Sequence, residues 1–140
     1  MEELRYQFVL TAIFLNLEKS LETQEHTYAI VKCDNDEMIG CIDFTKINPI
    51  NQTATLGIFI GEESEHSKGY GEEAIKLLLD YGFNYLNLHS VILGVYDFNE
   101  KAINCYKKVG FKEFGRRREC YYLKNKYHDI IYMDILKEEW

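Results

Sequence analysis

Hydrophobic and polar positions divide the chain into short segments of clear period. Glu3 to Leu21 predicts an amphipathic helix, with Phe8, Ala12, Leu15 and Leu21 near one stripe. The polar run 22–27 breaks that pattern. Tyr28–Lys32 and Met38–Ile47 predict two strands, joined by a polar hairpin turn at Asp34–Glu37. A loop at Asn48–Gln52, holding Pro49, leads to a third strand over Ala54–Ile60. From Gly61 to Gly71 the chain is a glycine-bearing loop. Ile75, Leu78, Leu79, Gly82, Phe83 and Leu86 then recur at helical spacing and predict a helix from Glu72 to about Leu86. Ser90–Tyr96 is a β-branched strand. Glu100–Val109 predicts a short helix ended by Gly110. Strand character follows over Phe111–Tyr122, interrupted by the basic run Arg116–Arg118, and Asp129–Leu136 closes the chain as a last strand. Hairpins first and strand–helix–strand afterwards imply an α/β fold: one mixed sheet flanked by helices.

Composition narrows this picture. At 140 residues a single domain over 1–140 is expected, long enough to bury a core without staples. The apolar share of 46% and charged share of 28% exclude a disordered chain. With 16 basic and 23 acidic residues the net charge is −7, which argues against a nucleic-acid partner. No apolar run reaches membrane-spanning length, and the N-terminus lacks the basic start and cleavage site of a signal peptide. Cys33, Cys41, Cys105 and Cys120 form no C-x-x-C pair, and His26, His89 and His128 share no metal spacing. Free thiols in a reducing cytoplasm and no metal are the expectations.

Two segments carry candidate chemistry. The first is a strand, a loop with Lys68, Gly69 and Gly71, and a helix. Helix N-terminal N–H groups and the helix dipole favour an anion, and glycine lets a phosphate approach the backbone. A tight connection alone would also explain the pattern. The second is Asn99 to Phe111, where Asn99 suits a helix N-cap. Tyr106 borders the apolar face of the helix. A phenol so placed packs in the core or, at a cleft wall, delivers a proton.

Together the segments resemble the GNAT superfamily of N-acetyltransferases, in the branch of ribosomal-protein alanine and spermidine acetyltransferases. The family's loop pattern Gln/Arg-x-x-Gly-x-Gly/Ala is matched by His66-Ser67-Lys68-Gly69-Tyr70-Gly71. Its second half is matched by Asn99, Ala102, Tyr106 and Gly110-Phe111, and Tyr127-His128-Asp129 is also similar to that branch. The resemblance implies the acyl-CoA N-acyltransferase (GNAT) fold, with a mostly antiparallel sheet in which two central strands splay apart. It implies acetyl-CoA as donor and direct attack by a primary amine, either a protein N-terminus or a small molecule. Phe59 and Ile60 would pair with the pantetheine arm, His66, Ser67, Lys68, Gly69, Tyr70 and Gly71 would hold the pyrophosphate, Asn99 and Ala102 would line the cofactor arm, and Tyr106 would protonate the departing thiolate.

Three departures set limits. His66 replaces the usual Gln or Arg. Thr55 stands where many relatives of the branch carry Glu near the acceptor amine. The family's opening strand is absent before Glu3, which would leave a sheet edge for a second copy, as in a homodimer, to cover. A degenerate acyl-CoA-binding sensor or interaction domain is the alternative. Arg116–Arg118 reads as a solvated basic turn. The base that deprotonates the amine is not identified by any motif.

Overall fold

A computed structural model describes residues 26–32, 34–61 and 69–140. The helix expected over Glu3–Leu21 and the loop residues His66, Ser67 and Lys68 lie outside these. The described elements are strands β1 (Thr27–Val31), β2 (Met38–Asn48) and β3 (Thr53–Ile60), helix α1 (Tyr70–Asn84), strand β4 (Ser90–Tyr96), helix α2 (Glu100–Val109), and strands β5 (Lys112–Leu123) and β6 (Lys126–Leu136). A single 3₁₀ turn, Lys137–Glu139, follows.

The six strands form one sheet in the order β1-β2-β3-β4-β6-β5. Only β3 and β4 run parallel; every other neighbouring pair is antiparallel. Both described helices lie on one face. The Phe44 ring of β2 stands against Gly82 of α1, and Ile135 of β6 stands against Gly110 at the end of α2. Side chains alternate between faces along a strand, so these contacts assign the helix-covered face. It carries Ile42 and Phe44, Ala54 and Leu56, Val91, Leu93 and Val95, and Ile131, Met133 and Ile135, all buried. Leu79, Phe83, Ile75 and Leu78 of α1 close that core from above. The apolar alternation of the strands and the helical spacing of α1 thus point at each other.

The structure corrects three boundaries. Helix α1 starts at Tyr70, two residues before the expected Glu72, because Gly69 rather than Gly71 takes the left-handed turn (φ 84°). Strand β6 starts at Lys126, before the expected Asp129. A two-residue turn of Lys124 and Asn125, both at positive φ, folds it back on β5, and such turns match the twist of a hairpin. The expected basic turn at Arg116–Arg118 lies inside β5. The register of β5 slips between Arg117 and Tyr121, where Glu119 takes φ 49°. The Asp129 carboxylate accepts the Glu119 N–H at 2.8 Å, which satisfies the donor that the slip frees.

Candidate active site

The sheet opens at its centre. The parallel pairing of β3 with β4 covers Thr53, Ala54 and Thr55 against Ser90, Val91 and Ile92, and goes no further. Strand β3 continues to Ile60 and β4 to Tyr96 without pairing to each other. Strand β3 keeps β2 as its neighbour to Ile60, and β4 keeps β6 to Tyr96. Alternate backbone groups of the two strands therefore face a wedge-shaped gap, where an extended ligand arm can hydrogen-bond as a strand would.

The N-terminus of α1 sits at the wide end of this gap. Gly69 is its N-cap and no side chain caps it. The first intrahelical bond runs from the Glu73 N–H to the Gly69 carbonyl (3.0 Å), so the N–H groups of the residues before Glu73 have no partner within the helix. A Cβ on Gly71 would meet the tips of Ile58 and Ile60 and the Cys105 Sγ at 3.7–3.9 Å. Gly71, β3 and α2 thus converge there. Two acids, Glu72 and Glu73, lie in the first turn, against the preference of an anion; Lys76 holds Glu72 in an ion pair at 3.0 Å and offsets part of that charge. The Tyr70 ring is buried in the core with the Lys32 ammonium over its face, so Tyr70 can offer the gap only its backbone.

Helix α2 approaches the same end of β3 through Cys105. The Asn99 Oδ1 accepts the Ala102 N–H (3.3 Å), the N-cap expected from sequence, and this leaves its amide nitrogen as a donor. Ala102 is half-buried against the core. Tyr106 is 9% exposed, edge-on to Phe111 with ring centroids 6.1 Å apart. Burial, and secondarily the neighbouring Cys105 thiolate charge, pushes its phenol up to about 12. Among the described residues its hydroxyl has no hydrogen-bond partner. A buried hydroxyl is normally paired, so this one is poised to donate to a ligand. Phe59 and Ile60 leave β3 on opposite faces; Phe59 is exposed and Ile60 packs on the helix side.

One group on the other face of the sheet escaped sequence reasoning. Asp43 of β2 lies directly opposite Gly57 of β3. A Cβ at Gly57 would fall 2.5 Å from an Asp43 carboxylate oxygen, so the carboxylate occupies the space a side chain would take. Desolvation raises the Asp43 carboxyl above its usual range, and the Gly57 backbone N–H opposes this in part. The available signal was an acid inside an otherwise apolar strand, Cys41-Ile42-Asp43-Phe44. Among the described residues no cluster of three or more His, Cys, Asp or Glu could hold a metal. No helix there is long and apolar enough to cross a membrane.

A mixed sheet split between two parallel strands, with a glycine-capped helix at the split, defines the class of acyl-CoA N-acyltransferase folds. The sequence pattern of the acetyltransferase (GNAT) domain matches residues 5–112, and the chain belongs to that family. It is 33% identical over 123 residues to the spermidine N(1)-acetyltransferase of Escherichia coli (strain K12), covering 88% of this chain and 65% of that protein. It is 32% identical over 103 residues to the putative ribosomal N-acetyltransferase YdaF of Bacillus subtilis (strain 168), covering 74% of this chain and 56% of that one. Among solved structures, the spermidine N-acetyltransferase of Vibrio cholerae in complex with CoA and spermine superposes with a TM-score of 0.79 at 30% identity, over 88% of this chain and 72% of that one. The match thus spans less than two thirds of the length of each of these two curated relatives.

Proposed function

We propose that this chain is an N-acetyltransferase that moves the acetyl group of acetyl-CoA to a primary amine by direct attack within a ternary complex. The observation that carries the reading is Tyr106: a buried phenol with no hydrogen-bond partner among the described residues, on the helix whose Cys105 approaches Gly71 and the end of β3. Acetyl-CoA supplies the activated acyl group as a thioester. In this reading the N–H groups of Gly69, Tyr70 and Gly71, with the loop residues His66, Ser67 and Lys68, bind the pyrophosphate. The backbone of Phe59 and Ile60 pairs with the pantetheine arm in the gap, and Asn99 and Ala102 border that arm from α2. No covalent enzyme intermediate is required, because an amine attacks a thioester directly once the two are aligned.

Tyr106 donates its proton to the leaving sulfur. With its phenol pushed up to about 12, the group is fully protonated at neutral pH, so the acid is always loaded. Donation to a thiolate, whose own value is about 8.5, is uphill in isolation. It becomes favourable when the nitrogen loses a proton in the same step and refills the tyrosine.

The acceptor is a polyamine or a protein N-terminal amine. Relatives named as spermidine acetyltransferases and a putative ribosomal acetyltransferase support these two choices, and the net charge of −7 favours a cation in both cases. In this reading residues 1–140 act as one domain in the cytoplasm and pair with a second copy. One Vibrio cholerae relative, described as dodecameric, supports self-association. The test is thiol release from acetyl-CoA in the presence of spermidine, spermine and peptides with free N-terminal alanine. Release that depends on one of these amines is the expected outcome. Acetyl-CoA binding with no release on any of them would support a sensor instead, and absence of binding would overturn both readings.

A further inference from the structure

Direct attack needs a neutral amine, and nothing assigned so far removes a proton from an ammonium group. The groups already given roles are neutral or are hydrogen-bond donors. Resting on the transferase reading, we propose that Asp43 is the acceptor-side carboxylate of this protein, holding the incoming ammonium and taking its proton.

The position follows from strand alternation. Phe44 faces the helices, so Asp43 projects from the opposite face. On that face its cross-strand neighbours are Thr27 of β1 and Gly57 of β3. Gly57 belongs to the part of β3 that runs beyond the last pairing with β4, so Asp43 lies over the strand that borders the gap. Tyr106, on α2, lies on the helix-covered side. The carboxylate and the helix that carries Tyr106 thus lie on opposite faces of the sheet, with the gap-bordering strand β3 between them.

Gly57 is what allows the placement. Any side chain there would meet the carboxylate, at 2.5 Å for the first carbon alone. Thr55 shares a face with Gly57 and lies diagonal to Asp43.

The environment suits a base. The residues facing Asp43 from β1 and β3, Thr27, Thr55 and Gly57, are uncharged, and Cys41 is the titratable neighbour on its own strand. Among the described residues Asp43 therefore has no cation to neutralise it. Its raised proton affinity, from desolvation, brings it closer to the operating range of a base.

The balance is simple. The ammonium gives one proton to the Asp43 carboxylate, which later passes it to solvent. The amine nitrogen forms a bond to the acetyl carbon as the carbon–sulfur bond breaks. Sulfur takes the Tyr106 proton, and the second proton leaving nitrogen restores Tyr106.

The experiment compares wild type, Asp43→Asn and Asp43→Glu with spermidine and an alanine-terminated peptide, from pH 6 to pH 10. Asp43→Asn should lower kcat/KM at pH 7 at least 100-fold, leave acetyl-CoA affinity within twofold, and melt at or above wild type. The loss should shrink at pH 10, where solvent deprotonates the amine. Asp43→Glu should keep more activity than Asp43→Asn. Asp43→Asn activity within threefold of wild type with an unchanged pH profile would overturn the role. A lower melting temperature with weakened acetyl-CoA binding would overturn it too, in favour of a structural one. If wild type itself releases no thiol with either amine, the transferase reading falls and takes this role with it; an active wild type with an equally active Asp43→Asn removes Asp43 alone.

Discussion

At the scale of single residues, Tyr106 and Gly71 separate chemistry from packing. Tyr106→Phe keeps the buried ring and its edge contact with Phe111 but removes the hydroxyl. Turnover should fall by roughly 10²-fold or more, with acetyl-CoA affinity nearly unchanged in calorimetry. The same residue makes a stability prediction of definite sign. Its proton is held more tightly in the folded state, up to about 12 against an ordinary 10. Stability should therefore be intact below pH 10 and fall between pH 10 and 12, by about 2–3 kcal/mol in total. Denaturant melts across that range should show the loss in wild type and not in Tyr106→Phe. At Gly71 an added methyl makes only ordinary contacts, at 3.7 Å and beyond. Gly71→Ala should thus fold at least as well, since alanine favours the helix by about 1 kcal/mol. Acetyl-CoA affinity should stay nearly unchanged in a binding titration, because the methyl points at Ile58, Ile60 and Cys105 and leaves the backbone N–H groups open.

At the scale of elements, the contact of α1 with β2 depends on Gly82. A Cβ there would lie 2.8 Å from two ring carbons of Phe44 and 3.1 Å from Leu88. Both residues are buried, so neither can move away freely. Gly82→Ala should cost about 1–3 kcal/mol in a chemical denaturation experiment. This is the opposite of Gly71→Ala on the same helix. The elements themselves were largely legible in the sequence, because α1 buries a strict helical stripe and β3 and β4 are apolar at alternate positions. Ends were less legible where polar residues carry backbone pairing. Lys126-Tyr127-His128 belongs to β6 through a hairpin turn built from Lys124 and Asn125, of which only Asn125 is a usual turn residue. The charge of Arg116–Arg118 predicts solvent exposure, which a turn and an edge strand share. The residues are indeed exposed, but they sit on an edge strand, with Arg116 bonded to Glu113 at 2.9 Å and to Asp129 at 3.4 Å. The Asn99 cap and the glycine turn could be read from local chemistry. Asp43 could not, because its meaning comes from Gly57, fourteen positions later in the chain and adjacent only once β2 and β3 pair.

At the scale of the whole molecule, charge and sheet continuity matter most. A net charge of −7 draws cations toward the protein before any specific contact forms. For a polycation such as spermidine, kcat/KM should fall roughly tenfold as ionic strength rises from 0.05 to 0.5 M, while kcat stays nearly constant. A salt-independent kcat/KM would remove steering from the description.

The short parallel pairing has a mechanical consequence. Three residue pairs are all that bind β3 to β4, so the sheet is two slabs joined along a brief seam. On one side of it lie β1, β2 and β3, and on the other β4, β6 and β5. The bridging burden falls on the two helices together: α1 packs against β2 and β3 of one slab and against α2, and Gly110 at the end of α2 lies against Ile135 of the other slab. A molecule that fills the split bonds to both slabs and lengthens the seam. The loaded protein is then a more continuous solid than the empty one, and binding is felt as stiffness across the full width of the sheet.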